Sequence, residues 1–223
     1  MSESDPHPPK NEELLATLQQ LVEPLAATLV GPSEVIVHDL SRLPNSIIAI
    51  SGDVTGRTVG DPATDKLLHA AVAGRLETSI GYRTTSPTGK SLLSTTIILH
   101  DAEGAPAAAL CINRDISEWE QLRALTAALA GAPEAPAPQE DADEEVFVRD
   151  VDELGALLLA QAVAAAPVPV EDMKKEHKVE VVRHLRARGF FLLRDAAEMA
   201  AQALRCSRFS IYNYLNELDG DEE

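Results

Sequence analysis

A chain of 223 residues is long enough for one large domain or two small ones, each with a buried core. At 45% hydrophobic residues it is globular in composition, and no apolar run reaches the ~18 residues of a membrane span. The formal net charge of -17 excludes a chain that is basic throughout, so nucleic-acid binding would have to rest on a local concentration of Lys and Arg.

Met1 to Lys10 is polar and proline-rich, without the basic start and apolar stretch of a signal peptide, so a cytoplasmic location is expected. Leu14, Leu15, Leu18, Leu21, Val22 and Leu25 recur at helical spacing and predict a helix over residues 12–29, kinked or broken at Pro24. Two strands follow at 34–40 and 46–51, with Pro44-Asn45 in the turn between them. Asp61 as N-cap and Pro62 at the first helical position predict a second helix, which Gly74 ends. Strands at 80–86, 91–100 and 107–113 are separated by turns at Thr88-Gly89 and Glu103-Gly104. Ser117 then opens a helix that runs to Ala130. This order predicts an α+β unit over residues 12–130: a PAS-like domain with a five-stranded antiparallel sheet and helices packed on one face.

Within that unit, His38, Asn45, Ser94, Thr96, Cys111 and Asn113 are the candidate ligand contacts. Each also has a plainer reading. His38 and Asp39 are neighbours on a strand, so they point to opposite faces and cannot form an acid-base dyad. Ser94 and Thr96 share a face that lines a pocket or meets solvent. Cys111 is a small buried apolar residue or a redox sensor, and Asn113 is a pocket residue or a turn cap. Cys111 and Cys206 have no paired spacing, and the six histidines form no metal-like cluster, so neither a disulfide nor a metal is expected.

Residues 131–145, rich in Pro, Ala, Glu and Asp, read as a flexible acidic linker. A helix is predicted over 146–166, with Val151, Leu154, Leu157, Leu158 and Ala162 on one stripe. That stripe either packs on its own chain or pairs with a second copy. Pro167 and Pro169 end it.

Residues 171–218 carry the clearest motif. An amphipathic helix over 171–188 stops at Gly189, and Phe190 to Leu193 form an apolar connector. A second helix starts near Asp195, turns at Arg205-Cys206-Ser207, and gives way to a third over 207–218. Steeply crossed helices need a small residue at their contact, which Ala201 supplies. Leu204, Cys206, Ile211 and Tyr214 then make a core between them. Between Met173 and Asn216 there are nine basic and four acidic residues, a surplus that is either a solvated surface or a DNA footprint. The all-α arrangement is a helix-turn-helix domain whose third helix presents Ser207, Arg208, Phe209, Tyr212 and Asn213. Arg can read guanine, Asn can read adenine, and Ser with the helix N-terminus can hold a phosphate. Arg205 sits where such turns often have Gly. It would cost about 1 kcal/mol in a left-handed conformation and offers a phosphate contact.

His38-Asp39-Leu40, Asn45-Ser46-Ile47, the run Gly56 to Pro62 and the run Ala109 to Asn113 together resemble the YheO-like PAS domain over roughly residues 21–122. Residues 197–215, centred on the run Ser207 to Leu215, resemble the helix-turn-helix that accompanies it. The resemblance implies a small-molecule pocket between sheet and helices and a bacterial transcriptional regulator controlling metabolic genes. It implies as partners double-stranded DNA, an amino acid or catabolite as effector, and a second copy in a homodimer, with no cofactor and no membrane. A PAS-based signalling or interaction module without sequence-specific DNA binding is the competing reading. No nucleophile-base pair, phosphate-binding glycine loop or metal-ligand set points to an enzyme.

Overall fold

The computed structural model describes residues 11–131 and 145–220. Helix α1 (Glu12–Thr28) is followed by strands β1 (Ser33–Asp39) and β2 (Ile47–Gly52), helix α2 (Asp65–Val72), strands β3 (Ser79–Thr85), β4 (Ser91–His100) and β5 (Pro106–Asp115), and helix α3 (Ser117–Leu129). The five strands form one antiparallel sheet in the order β2-β1-β5-β4-β3. The pattern-based α+β architecture is therefore present.

Alternation along the strands explains both faces of this sheet. Val35, Val37, Ala108 and Leu110 point to one side and pack with Leu18 and Val22 of α1. Ile36, Ala109 and Cys111 point to the other and pack with Ala63 and Leu67. The expectation of helices on one face is corrected here, because α1 and α2 lie on opposite faces. Both faces of β1 and β5 carry apolar side chains, so each needs a cover. Helix α3 buries none of its residues and leaves Trp119, Leu122, Leu125 and Leu129 exposed.

Two sequence expectations shift in detail. Helix α1 runs unbroken through Pro24, which lies on its exposed side, where the carbonyl left without a partner meets water. Helix α2 starts three residues later than predicted, and its cap is Thr64, whose hydroxyl accepts from Leu67 N. Asp61 is used elsewhere: its carboxylate accepts from Thr58 N at 2.6 Å. Ala63 N donates to Pro44 O, which ties this segment to the β1–β2 turn.

Helices α4 (Val151–Ala164), α5 (Lys175–Ala187), α6 (Ala196–Ala203) and α7 (Arg208–Gly220) make up the C-terminal part. They share one apolar core containing Leu154, Leu158, Leu185, Phe190, Leu204 and Ile211. The expected helix over 146–166 begins only at Val151, with Asp150 as its cap, and the 171–188 helix begins at Lys175 after a short 3-10 turn at Val170–Asp172. Leu154, Leu158 and Ala162 are buried against the chain's own α5 and α6, so the α4 stripe packs on its own chain.

The expected flexible linker lies mostly outside the described residues. Its last member, Glu145, is corrected: it is buried, in an extended segment over 145–148 that also buries Phe147 and Val148.

Helix α2 joins the two parts. Leu67 belongs to the core on the sheet, and its neighbour Leu68 belongs to the core of α4–α7. The approach is close at Gly189, whose φ is +78°. A Cβ there would meet Val72 Cγ2 at 2.9 Å and Leu68 Cγ at 3.0 Å. Both the left-handed backbone and the lack of space require glycine at this junction.

Candidate DNA-reading helix and sensor interior

The turn between α6 and α7 is held by chemistry that the sequence announces. Arg205 has φ +48°, the left-handed conformation anticipated at that position. Ser207 caps α7, its Oγ accepting from Ser210 N at 3.1 Å. Ala200, Ala201, Leu204, Ile211 and Tyr214 are buried and fix the crossing, with Cys206 packed at the edge. Helical periodicity then turns Ser207, Arg208, Phe209, Tyr212 and Asn213 outward together, with Arg205 beside them, and all six are exposed. Phe209 is 73% exposed, so it does not pack on α6. The two tyrosines divide: Tyr212 is exposed and Tyr214 is buried.

Both arginines of this surface are paired to acids of the same chain. Arg208 Nη1 lies 3.4 Å from Glu198 on α6, and Arg205 Nη2 lies 3.0 Å from Glu171. Exposed pairs of this sort contribute little, so a phosphate can replace the carboxylate at low cost.

The interior of the α+β part is of opposite character. The face of the sheet turned toward α2 carries buried polar groups beside its apolar cluster. Glu34 accepts hydrogen bonds from Val54 N, from Thr55 N and its hydroxyl, and from Asn113 Nδ2. Asn113 in turn accepts from Ser94 Oγ at 2.9 Å, and Ser94 shares a 2.6 Å bond with Thr84. Arg57 completes the group: its Nη2 is 3.7 Å from Glu34, its Nε donates to Thr55 Oγ1, and its Cζ lies 5.0 Å from the centroid of the Phe147 ring. Nη1 of Arg57 is buried with no hydrogen-bond partner.

A second chain of polar groups lies alongside. Thr96 Oγ1 is 3.5 Å from Cys111 Sγ and 2.8 Å from the Tyr82 hydroxyl, which donates to Glu145. Thr64, the cap of α2, donates its hydroxyl to the other oxygen of Glu145 at 2.7 Å. A cavity of about 180 Å³ opens onto Glu145, Tyr82 and Thr96, with Leu67 and Ile98 in its walls.

Burial, aided by Arg57, lowers the pKa of His38 to about 3, so the ring is neutral; its Nδ1 shares a 2.9 Å hydrogen bond with Ser46. Burial pushes the Cys111 thiol up to about 12, which leaves it a protonated, poor nucleophile. Burial, then Glu145, raises Tyr82 far above its ordinary value. Among the described residues, no group of three His, Cys, Asp or Glu is placed to hold a metal.

Of the six candidate ligand contacts, five lie in this interior: His38, Ser94, Thr96, Cys111 and Asn113. Asn45 does not. It is exposed and donates to Gly60 O at 3.0 Å, a turn-building role. Asn113 caps no turn but bridges Ser94 and Glu34 across three strands. Glu34, Arg57, Tyr82 and Glu145 are absent from the candidate set. Glu34 could have been found, since it shares the two-residue period of Ile36 and His38 on β1. Arg57 and Glu145 come from a loop and from the acidic run, where no periodicity marks them.

Comparison with protein families matches the YheO-like PAS domain over residues 9–131 and a helix-turn-helix domain over residues 154–216. The second match takes in α4 from its fourth residue onward, which agrees with the place of that helix in the shared core. "Transcriptional regulator DauR" of Pseudomonas aeruginosa is 30% identical over 94% of this chain and 97% of its own length. "Uncharacterized protein YheO" of Escherichia coli is 26% identical over 92% of this chain and 85% of its own. An uncharacterized protein of Haemophilus influenzae is 22% identical over the whole chain and 99% of its own.

Proposed function

From the premise that this chain belongs to the family joining a YheO-like PAS domain to a helix-turn-helix, and is a DNA-binding regulator, we propose that it reads a specific operator through α7 and answers to a small molecule held in its PAS domain. The observation that carries the reading is the division of α7. Ile211 and Tyr214 anchor it in the core, while Ser207, Arg208, Phe209, Tyr212 and Asn213 are exposed together at its N-terminal half. Such a face fits the major groove, with Arg208 and Asn213 as base readers, and Ser207 and Arg205 as phosphate contacts. The target genes proposed are metabolic ones, as the resemblance of the sequence to this regulator family implies. The site of action is the cytoplasm, and no helix among the described residues is long and apolar enough to cross a membrane.

The effector would act through α2. Leu67 lines the cavity and Leu68 enters the core of α4–α7, so a shift of α2 is felt on both sides. Asp65 reinforces the link by accepting from Val146 N and from Gln161 Nε2 of α4. A ligand changes DNA affinity only if it binds the two arrangements unequally. The functional unit is a homodimer. What supports this is α3, whose apolar Trp119, Leu122, Leu125 and Leu129 are exposed among the described residues, whereas the α4 stripe is already used within the chain.

The test is fluorescence anisotropy with DNA from upstream of the protein's own gene against an unrelated duplex, across a salt series. Wild type should prefer its own DNA. Arg208→Ala and Asn213→Ala should each lose about 1–3 kcal/mol of that preference while the fold stays intact. Equal, weak binding to both duplexes by wild type, with no response to either substitution, favours a signalling module over a DNA reader.

A further inference from the structure

We propose that the cavity between α2 and the sheet binds small molecules headed by a protonated amine, and that Glu145 receives the ammonium group. The proposal deepens the ligand-responsive reading above and rests on it.

The argument begins with buried charge. Glu34 has its counter-ion in Arg57, and that pair is neutral as a unit. Glu145 is 7% exposed, and each of its oxygens accepts from a hydroxyl, one from Thr64 and one from Tyr82. Among the described residues no Lys, Arg or His pairs with it. Two hydroxyls compensate only part of the cost of burying a carboxylate, and the remainder is recovered when a cation meets it. Lys66, which lines the same cavity, rests its Nζ 4.9 Å from the centroid of the Tyr82 ring rather than on the carboxylate. That contact marks the ring face as a second place where a cation is favoured.

The shape of the cavity supplies the rest of the specification. Glu145, Tyr82 and Thr96 line it together with the apolar Leu67, Ala70, Leu76 and Ile98, which suit a short alkyl chain. Lys66, Arg75, Glu77 and Ser79, all exposed, also line it, and the two cations can meet a carboxylate carried by the same ligand. At about 180 Å³ the space suits a chain of a few carbons. Arg57, the buried cation that would favour an acid as head group, does not line the cavity and is turned to Glu34, Thr55 and Phe147. Glu145 also lies two residues before Phe147 in the segment leading into α4, so an ammonium bound there pulls on the connection to the DNA-reading part.

The experiment is isothermal titration calorimetry on the full chain with three probes of equal chain length: n-butylamine, 4-aminobutyrate and butyrate. The two amines should bind saturably and butyrate should not. Glu145→Gln should weaken both amines by about tenfold or more, as loss of a charge-assisted hydrogen bond requires. Tyr82→Phe leaves the carboxylate in place and should produce a smaller loss, and it keeps the proposal testable should Glu145→Gln not fold. Butyrate binding as well as butylamine overturns the amine head group and leaves ligand sensing standing. Unchanged amine affinity in Glu145→Gln, or no binding by any of the three, overturns the site. Operator binding measured on the same samples separates these failures from failure of the regulator reading, because it persists in the first case and is absent in the second.

Discussion

The two parts of this molecule place their polar groups in opposite ways. The PAS part encloses Glu34, His38, Arg57, Ser94, Asn113 and Glu145, while the C-terminal part builds its core mainly from Leu, Ile, Val, Phe and Ala and leaves Arg205, Arg208 and Asn213 outside. The difference fits the partner proposed for each. A small molecule can be surrounded, so its contacts are made by buried groups whose desolvation has been met in advance by hydrogen bonds. A duplex cannot be surrounded, so the groups that meet it stay solvated until it arrives, held in place by an apolar core beneath them.

The contrast would be broken most severely at Glu34. Glu34→Ala leaves the Arg57 guanidinium buried without its carboxylate, and urea unfolding should show a loss of about 3–5 kcal/mol, whereas removal of the exposed Glu198 beside Arg208 should change stability by less than about 0.5 kcal/mol. Equal effects at the two positions would refute the contrast.

His38 offers a finer test, through pH. Its folded-state pKa is lowered to about 3 from 6.5, so between those values the unfolded chain binds the extra proton. The neutral ring's contribution to stability is then present above about pH 6.5 and is lost as pH falls, at up to about 1.4 kcal/mol per pH unit. Unfolding free energies measured from pH 7.5 to 5 should show this slope, and His38→Gln should flatten it.

The smallest effect is expected at Arg205, where the two demands meet in one residue. Arg205→Gly relieves a left-handed backbone and removes only an exposed ion pair, so stability should rise by roughly 0.5–1 kcal/mol. On the proposed role of Arg205 the same change deletes a phosphate contact, so the salt dependence of DNA binding should become shallower by about one unit of slope. A gain in stability without loss of salt dependence would remove Arg205 from the DNA surface.

Much of this was readable before any coordinates. Periodicity of two placed the five strands and periodicity of 3.6 placed the helices. Because α7 is short and regular, the same periodicity put Ile211 and Tyr214 inward and Arg208, Tyr212 and Asn213 outward. The left-handed turn at Arg205 was legible from its place between two helices. Local rules suffice wherever a site is carried by one element.

The sensor interior is built differently, from side chains far apart in the chain. Thr64 and Glu145 are 81 residues apart and meet through one hydrogen bond, and Glu34 and Asn113 meet across 79. Nothing local to Glu145 distinguishes it from the acidic residues before it, and only the fold decides that this carboxylate is buried. The burial of α4 and the placing of α1 and α2 on opposite faces of the sheet have the same origin. An apolar stripe in sequence states that a surface must be covered, while the covering partner is chosen by packing among all elements at once.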